Sequence, residues 1–251
     1  MIEIIPLDDI GEVRVGDDLA GVLRNALARA GLTLRAGDIL VVTQKIVSKA
    51  EGCFVDLGSV TPGAEARRIA GIVRKDPAFV EAVLRESTAV VRAAPHVLIT
   101  RHRLGHVMAN AGLDRSNLGP GSEDRVLLLP ADPDGSAARL AVALATPAGV
   151  RPGIVISDSF GRPWRYGVVG VAIGAAGLPA LIDRRGDLDR DGRTLEVTQI
   201  ALADLVASAA VLAGGEGAEG IPAVLVRGYP AGGTHAPATA LIRPIEEDLF
   251  R

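Results

Sequence analysis

The chain has 251 residues, of which 48% are hydrophobic and 23% charged, and its formal net charge at pH 7 is -3. This is the composition of a globular protein, and it lacks the basic excess of nucleic-acid-binding proteins. The start, MIEIIPLDD, has no signal-peptide pattern, and the most apolar stretch, residues 168–182, is too short to span a membrane. The single cysteine, Cys53, excludes an intrachain disulfide. We expect a cytoplasmic protein without nucleic-acid or membrane partners.

Strand and helix patterns alternate in the first third of the chain. Residues 2–5 and 39–43 are β-branched, apolar runs that predict strands. Between them, Asp17 and Asp18 precede a stretch with leucine, valine and alanine on one helical face, so we expect a helix capped by these acids.

The rest of the chain mixes both patterns without an internal repeat. The remaining predicted helices span residues 62–74, 78–86, 135–145 and 199–213. The remaining extended segments span residues 89–91, 97–100, 105–110, 153–157 and 221–226, and the last of these is apolar enough to lie inside a sheet. Residues 229–237 are rich in glycine and proline and predict a loop. The pattern indicates an α+β fold.

Two lysines follow the second predicted strand, in the stretch TQKIVSKAEG. Lys45 and Lys49 are the only basic side chains between residues 37 and 52. Two ammonium groups beside a strand end can hold a phosphate chain. The commoner situation is a pair of solvated lysines next to a turn, and the residues alone leave both interpretations open.

Side chains with oxygen atoms follow two of the extended segments. Asp114 and Asn117 lie in a turn-rich stretch, and Asp158 and Ser159 come directly after the strand at 153–157. Carboxylate oxygens are ligands of Mg²⁺ or Mn²⁺, and open sites collect at the carboxyl ends of strands. The alternative is that these side chains bond their own turns, Asp158 together with Gly161.

Two arginines surround the only tryptophan of the chain. Arg162 and Arg165 flank Trp164 and, at a spacing of three, can reach the same side of a loop or of a first helical turn. They are candidates for binding the carboxylates of a substrate, or for pairing with acids of the protein itself. The glycine-broken stretch 167–177 behind them is expected to be close-packed core.

Two motifs imitate known binding loops. The stretch DRRGDLDRDGR has the D-x-D-x-D-G of a calcium loop, but Thr198 stands where a bidentate glutamate is required, so a solvated charged loop is favoured. Gly215, Gly217 and Gly220 fit G-x-G-x-x-G, yet the predicted order is helix, glycines, strand, the reverse of a dinucleotide site. This glycine loop can approach a phosphate closely, with Glu216 as a metal ligand, or simply end the helix before it.

Seven stretches that follow one another along the chain are PLDDIGEV, VVTQKIVSKAEG, NAGLDRSN, LLLPADPDGSA, SDSFGRPWRYGVVGVAIGAAG, LEVTQIALAD and IPAVLVRG. Together they resemble the coenzyme F420-0:L-glutamate ligase family, also called F420 gamma-glutamyl ligase. The resemblance implies an enzyme that uses GTP to join L-glutamate to coenzyme F420-0 or F420-1 through an acyl-phosphate intermediate, releasing GDP and phosphate. It also implies Mg²⁺ or Mn²⁺, K⁺ in some members, and an intertwined homodimer of an unusual α+β fold. We expect one ligase domain over residues 1–251, of one or two lobes, without a C-terminal oxidoreductase domain.

The resemblance assigns roles to individual residues. The implied metal ligands are Asp114, Asp158, Ser159 and Glu216, with serine at 159 where threonine is commoner. The implied nucleotide contacts are Ile10, Gly11, Glu12, Val13, Gln44, Lys45, Lys49, Asn117, Gly214, Gly215, Glu216, Gly217, Ala218, Glu219, Gly220 and Ile221. The wording IGEV at residues 10–13 is atypical of the family. Lys49, which would reach the phosphates, and Asp158 are the expected catalytic residues.

The implied chemistry agrees with these residue types. Phosphoryl transfer to a carboxylate needs acids that hold a divalent metal and a cation that neutralises the developing charge. The amine of L-glutamate then attacks the acyl phosphate, with Arg162 and Arg165 as candidates for docking this anionic substrate and Trp164 for excluding water. The alternatives are a related metal- and nucleotide-dependent amide ligase with another acid or amino acid, and a non-catalytic protein that binds GTP or the deazaflavin.

Overall fold

The computed structural model describes residues 1–119, 124–230 and 233–248. The strands are β1 (Glu3–Pro6), β2 (Ile39–Thr43), β3 (Phe54–Asp56), β4 (Ser87–Ala94), β5 (Val97–His102), β6 (Val107–Ala109), β7 (Arg125–Leu127), β8 (Gly153–Arg162), β9 (Arg165–Ala176), β10 (Ile182–Asp183), β11 (Gln199–Ile200) and β12 (Ala223–Arg227). The helices are α1 (Leu19–Arg29), α2 (Gln44–Ala50), α3 (Ala64–Val73), α4 (Pro77–Arg85), α5 (Pro133–Ala143) and α6 (Leu202–Gly214). Short 3₁₀ turns span Leu57–Ser59, Asn110–Gly112, Ala238–Leu241 and Ile245–Glu247.

The central sheet has five strands in the order β1-β12-β2-β8-β9. Strand β12 is antiparallel to both of its neighbours, whereas β2 and β8 run parallel from the pair Ile39 and Gly153 to the pair Thr43 and Ser157. The apolar strand β12 therefore lies inside the sheet, as predicted. Because parallel and antiparallel pairs share this sheet and helices cover it, the fold is α+β, as the sequence indicates.

Helices cover both faces of this sheet, since alternate residues of a strand point to opposite sides. Leu40 and Ile154 belong to a core cluster with residues of α1, α2 and α5. Their neighbours Val41 and Val155 belong to a second cluster with α6. A third cluster lies apart from the sheet, where α3 and α4 pack around Leu98 of β5. Smaller sheets, β4-β5-β6, β3-β7 and β10-β11, complete the described part of the fold.

Two glycines allow helices to approach β9 closely on both of its faces. A methyl group at Gly170 would lie 2.6 Å from the carbonyl carbon of Ala207 in α6. One at Gly174 would lie 2.5 Å from the carbonyl carbon of Pro133 in α5. The two residues reach opposite helices because the pairing of β8 with β9 shifts by one residue next to Ile156, which is the effect of a β-bulge. The stretch predicted as core thus packs tightly from Gly170 onward.

Several boundaries differ from the predictions. The helix expected over 199–213 begins at Leu202, because Gln199–Ile200 pair with β10 instead. Helix α2 was not predicted at all, since its seven residues are too few to show a helical period. Residues 167 and 168 were expected in the core but are exposed, because that end of β9 extends beyond the helices. Of the predicted loop 229–237, residues 231 and 232 lie outside the described residues.

The start of α1 also differs in detail from the expected cap. Asp18 occupies the cap position, but its side chain makes no capping hydrogen bond and lies 3.7 Å from Arg24 Nη2. The Asp17 carboxylate accepts a bond from the Arg14 backbone amide at 2.8 Å. In the described part of the chain, no helix combines the length and the apolar character needed to cross a membrane.

Candidate functional site

A cleft of about 510 Å³ opens where β2 ends beside β8. Its walls are the N-terminal segment, the first turns of α2, the stretch after β6, the outer part of β8 and the loop between α6 and β12. It is lined by each residue for which a nucleotide or metal contact is predicted, namely residues 10–13, Gln44, Lys45, Lys49, Asp114, Asn117, Asp158, Ser159 and 214–221. The fold therefore brings together, from five separate parts of the chain, all the side chains named for those two roles. The roles themselves remain predictions.

Both lysines lie on helix α2, which follows β2 without a loop. They are four positions apart, so they lie one turn apart on one face of the helix. Lys45 Nζ is 2.8 Å from the Asp114 carboxylate and donates to Ser116 Oγ, also at 2.8 Å. Lys49 is buried and pairs with the carboxylate of Glu12. The interpretation as two solvated lysines is therefore wrong for Lys49, because its ammonium group is enclosed by the cleft.

Asp114 is positioned by an unusual turn. Asn110, Ala111 and Gly112 all have positive φ, at 52°, 52° and 72°, a conformation that residues with a β-carbon rarely adopt. Lys75 Nζ supports the turn by donating to Asn110 Oδ1 at 2.6 Å. The backbone of Asp114 then pairs with Leu127 through two hydrogen bonds, at 3.1 and 2.9 Å. The side chain of Asp114 consequently enters the cleft from a fixed backbone.

The Asp114 carboxylate has partners on both sides. It accepts a hydrogen bond from the Ser116 backbone amide at 2.6 Å, so it does bond its own turn as well as facing the cleft. Burial alone would raise the pKa of Asp114, but the hydrogen bonds from Lys45 and Ser116 and the charge of Lys45 outweigh burial and lower it. Asp114 is thus a carboxylate that stays ionised.

Asp158 lies within β8, which continues to Arg162 rather than ending at residue 157. What ends there is the pairing with β2, so Asp158 and Ser159 project beyond the last residue of that neighbour. The Asp158 carboxylate accepts a hydrogen bond from the Ser159 backbone amide at 2.9 Å. A turn formed by Asp158 with Gly161 is excluded, because the strand continues through both residues. Burial raises the pKa of Asp158 to about 7, the Ser159 bond opposes this, and the Asp114 and Glu216 carboxylates raise it further. The charge of Lys45 lowers the pKa of Asp158 but does not outweigh burial, so Asp158 is a buried carboxyl that is only partly ionised near neutral pH.

The glycine loop joins the end of α6 to the start of β12, so the predicted order of helix, glycines and strand is confirmed. Gly215 has a φ of 73°, a backbone conformation that favours glycine, and a methyl group there would lie 2.6 Å from Glu219 Oε2. The Glu219 carboxylate accepts a hydrogen bond from the Gly217 backbone amide at 2.7 Å. The side chain of Glu219 therefore bonds within the loop itself, while Glu216 lines the cleft.

The family model described as F420-0:Gamma-glutamyl ligase matches residues 9–228. The chain belongs to this family. Among curated relatives, a protein named Coenzyme F420:L-glutamate ligase from Methanothermobacter thermautotrophicus is 43% identical over 252 residues, covering 100% of this chain and 99% of the relative. Proteins with the same name from Methanopyrus kandleri and Natronomonas pharaonis are 45% and 44% identical, each across 100% of this chain, and 97% and 95% of their own lengths are covered.

The acids of this F420-0:gamma-glutamyl ligase family member suit a hard divalent cation by their chemistry, since all four predicted ligands offer oxygen atoms. The Asp114 and Glu216 carboxylates are close enough to Asp158 to raise its pKa. Among the described residues, however, no three acidic, histidine or cysteine side chains lie together closely enough to hold a metal ion. Asp114 is instead engaged by Lys45. The donor types fit the metal, and Asp114 would have to exchange Lys45 for it.

The two arginines and the tryptophan lie outside the cleft. Arg162 ends β8 and Arg165 begins β9, so they belong to the tip of a hairpin and not to a loop or a helical turn. Arg162 Nη2 donates to the Tyr166 carbonyl at 3.4 Å. Trp164 is 83% exposed and has a φ of 57°, which is rare for a bulky side chain. Within one chain, the proposed docking of glutamate by these arginines and the closing of the site by Trp164 have no support.

The calcium-like stretch forms an exposed hairpin in this family member. Arg184 pairs with Asp187, and Asp189 Oδ1 accepts the backbone amides of Asp191 and Arg193 at 2.9 and 2.8 Å. These carboxylates bond their own loop, as the prediction of a solvated, mixed-charge loop expects.

Part of the cleft was not predicted. Its apolar wall consists of small side chains on one face of α6, with Gly170 of β9 and two strand residues; they are Val41, Gly170, Ala207, Ala210, Val211 and Val224. The residues of α6 recur at spacings of three and four, which places them on one helical face. That stripe of small residues leading into the glycine loop is the signal that could have identified this wall.

Proposed function

We propose that the protein is a GTP- and metal-dependent ligase that joins L-glutamate to coenzyme F420-0 or F420-1 in coenzyme F420 biosynthesis. The observation that carries the proposal is the cleft lined by two lysines, five acids and a glycine loop. The family and the names of full-length relatives support the choice of substrates.

The first step is activation of a carboxylate. An oxygen of the F420-0 carboxylate attacks the γ-phosphorus of GTP, the bond to the bridging oxygen breaks, and GDP leaves with the electron pair. This forms an acyl phosphate. Catalysis of such a step is mostly positioning and charge neutralisation. Lys45 and Lys49, both lining the cleft from α2, provide positive charge, and the exposed amides of the glycine loop can bond phosphate oxygens.

The second step forms the amide. The amine of L-glutamate attacks the carbonyl carbon of the acyl phosphate, phosphate departs with the bonding electrons, and the proton lost by the nitrogen passes to the departing phosphate. Hydrolysis competes with this attack, so water must be kept from the acyl phosphate. The small apolar wall formed by α6 offers no polar side chain to order water there.

Asp114, Asp158, Ser159 and Glu216 are the side chains that would hold Mg²⁺ or Mn²⁺. When bound, such an ion neutralises phosphate charge and polarises the phosphorus. A bound cation would stabilise the ionised form of Asp158, whose pKa burial and the Asp114 and Glu216 carboxylates raise. The possible K⁺ and the homodimer remain expectations, and light scattering on a gel-filtration column measures the latter.

The proposal is tested by incubating the protein with F420-0, L-glutamate, GTP and Mn²⁺ and recording mass spectra of the products. The expected result is a product heavier by one or more glutamyl units, with GDP and phosphate in equal amounts. GDP release without a heavier product would reject the ligase. Omitting L-glutamate and adding hydroxylamine should trap the acyl phosphate as a hydroxamate, and a parallel reaction with ATP measures nucleotide selectivity.

A further inference from the structure

The cleft contains an anion supplied by the protein itself, the carboxylate of Glu12. It lies against the ammonium group of Lys49, the lysine that the proposed function places on the phosphates of the nucleotide. A phosphate oxygen and a carboxylate oxygen make the same charge-assisted hydrogen bond to an ammonium group. Glu12 therefore occupies the position beside Lys49 that a phosphate would take.

The two partners of this pair differ in how easily they can move. The Lys49 side chain is 6% exposed, whereas that of Glu12 is 51% exposed. A buried ammonium group without a partner is costly, so Lys49 needs an anion at all times. A half-exposed carboxylate can turn into solvent and be hydrated at little cost. If the pair opens, Glu12 is the member that leaves.

Opening the pair does not require the N-terminal segment to detach. The Leu7 amide donates to the Ala223 carbonyl at 3.0 Å and the Gly16 amide to the Ala50 carbonyl at 2.9 Å, on either side of Glu12. Val13 is buried in the core beside α1 and α2. A side-chain rotation of Glu12 is therefore enough, with the backbone held where it is.

Glu12 also faces the stretch that carries Asp114 and Asn117. A methyl group at Gly119 would lie 3.6 Å from Oε1 of Glu12. The carboxylate thus lies between Lys49 of α2 and Gly119.

We propose that Glu12 is a displaceable counter-ion of Lys49, which pairs with the ammonium group before the nucleotide binds and is exchanged for the phosphate chain of the nucleotide. This inference rests on the proposed function for the identity of the ligand. Nucleotide binding is then an exchange of one anion for another, and Glu12 lowers the nucleotide affinity below that of a cleft without this acid.

The test is the variant Glu12→Gln, which keeps the size of the side chain and removes its charge. Titration calorimetry with the non-hydrolysable analogue guanylyl imidodiphosphate and Mg²⁺ measures the affinity. We expect binding about three- to tenfold tighter than in the unchanged protein, because a competing ion pair of this kind is lost. In steady-state assays, KM for GTP should fall as well. Glu12→Ala repeats the measurement with a shorter side chain.

The matched control is Asp8→Asn, which removes one negative charge from an exposed position of the same segment. It should leave the affinity unchanged, and an equal gain in this control would attribute the effect to net charge and overturn the proposal. Unchanged or weaker binding in Glu12→Gln, with a fully active unchanged protein, would overturn the inference and leave the proposed function intact. If neither protein binds the analogue or forms product, the proposed function fails and the inference fails with it.

Discussion

Two pairs of opposite charge occupy the cleft, Lys45 with Asp114 and Lys49 with Glu12. The residue types were predictable, because acids and lysines are what phosphoryl transfer needs. The pairing was not, because the partners are 69 and 37 positions apart in the chain and no local pattern links them. The resemblance to a family suggested that Asp114, Asp158 and Glu216 act together, while the spacing of these residues alone left each of them ambiguous.

Asp158 should be indispensable for turnover. Replacing it with asparagine keeps the size of the side chain and removes the charge, so we expect kcat to fall by about 10² or more, as for other losses of a key electrostatic contact. The assay is product formation at saturating Mn²⁺. Near-normal turnover would contradict the assigned role.

The same variant has a second expected effect, on stability. Because the pKa of Asp158 is raised to about 7 in the folded protein, ionising it above that pH costs folding free energy. Below the ordinary aspartate pKa the cost vanishes. In metal-free protein at about pH 8, Asp158→Asn should therefore be more stable by about 1 kcal/mol or more, a gain that shrinks toward about pH 4. Urea unfolding at both pH values measures it and shows that lost activity is not lost folding.

At the scale of elements, strands and helices with a clear apolar period were predicted close to their observed positions, whereas α2 was not. The apolar period of β2 and of α1 is visible in the sequence, because each of these elements buries either one of its faces or both. Helix α2 is short, and it buries Gln44 and Lys49, which a hydrophobic pattern assigns to the surface. The pairings of β3 with β7 and of β10 with β11 join distant segments of two or three residues and leave no local signal.

The approach of α6 to β9 is an element-level feature with a testable cost. Gly170→Ala would place a methyl group 2.6 Å from the carbonyl carbon of Ala207, and because that neighbour is backbone, α6 has to shift. We expect a loss of about 1–3 kcal/mol in the free energy of unfolding. The KM for GTP should also rise, since Gly170 and α6 form one wall of the cleft.

Gly161→Ala is the matched control. Gly161 lies on the same hairpin, in β8, and no atom is within 4 Å of the position that its methyl group would occupy. Its unfolding free energy and KM should stay close to those of the unchanged protein. If both variants behaved alike, close packing at Gly170 would not be the cause.

At the scale of the whole molecule, two buried histidines connect the sheet β4-β5-β6 to the central sheet. His102 ends β5, and its backbone amide donates to the His106 carbonyl at 2.7 Å. The His106 ring meets Phe160 of β8 edge to face, with ring centres 5.6 Å apart. Burial lowers the pKa of both histidines to about 4, for His102 with a further contribution from Arg103 that Glu86 opposes.

These histidines predict acid sensitivity. Both are neutral when folded and take up protons more readily when unfolded, so their contribution to stability is complete above about pH 6.5 and is lost as the pH falls to about 4. We expect about 1–2 kcal/mol per histidine, measured as the urea unfolding free energy across this range. His106→Gln should reduce the loss. His96→Gln changes an exposed histidine and should leave the acid-induced loss of stability as it is. If both variants lost the same unfolding free energy on acidification, the buried histidines would not be the source of that loss.

The strand order has a consequence for how the protein is made. In the central sheet of the described residues, β1 has one neighbour, β12, and β12 also separates β1 from β2. The first strand to leave the ribosome is thus completed by one of the last, residues 223–227. Until then β1 and one edge of β2 have no partner, and such long-range pairings form slowly. The growing chain therefore exposes two unpaired strand edges for most of its synthesis. During that period these edges offer a chaperone a binding surface.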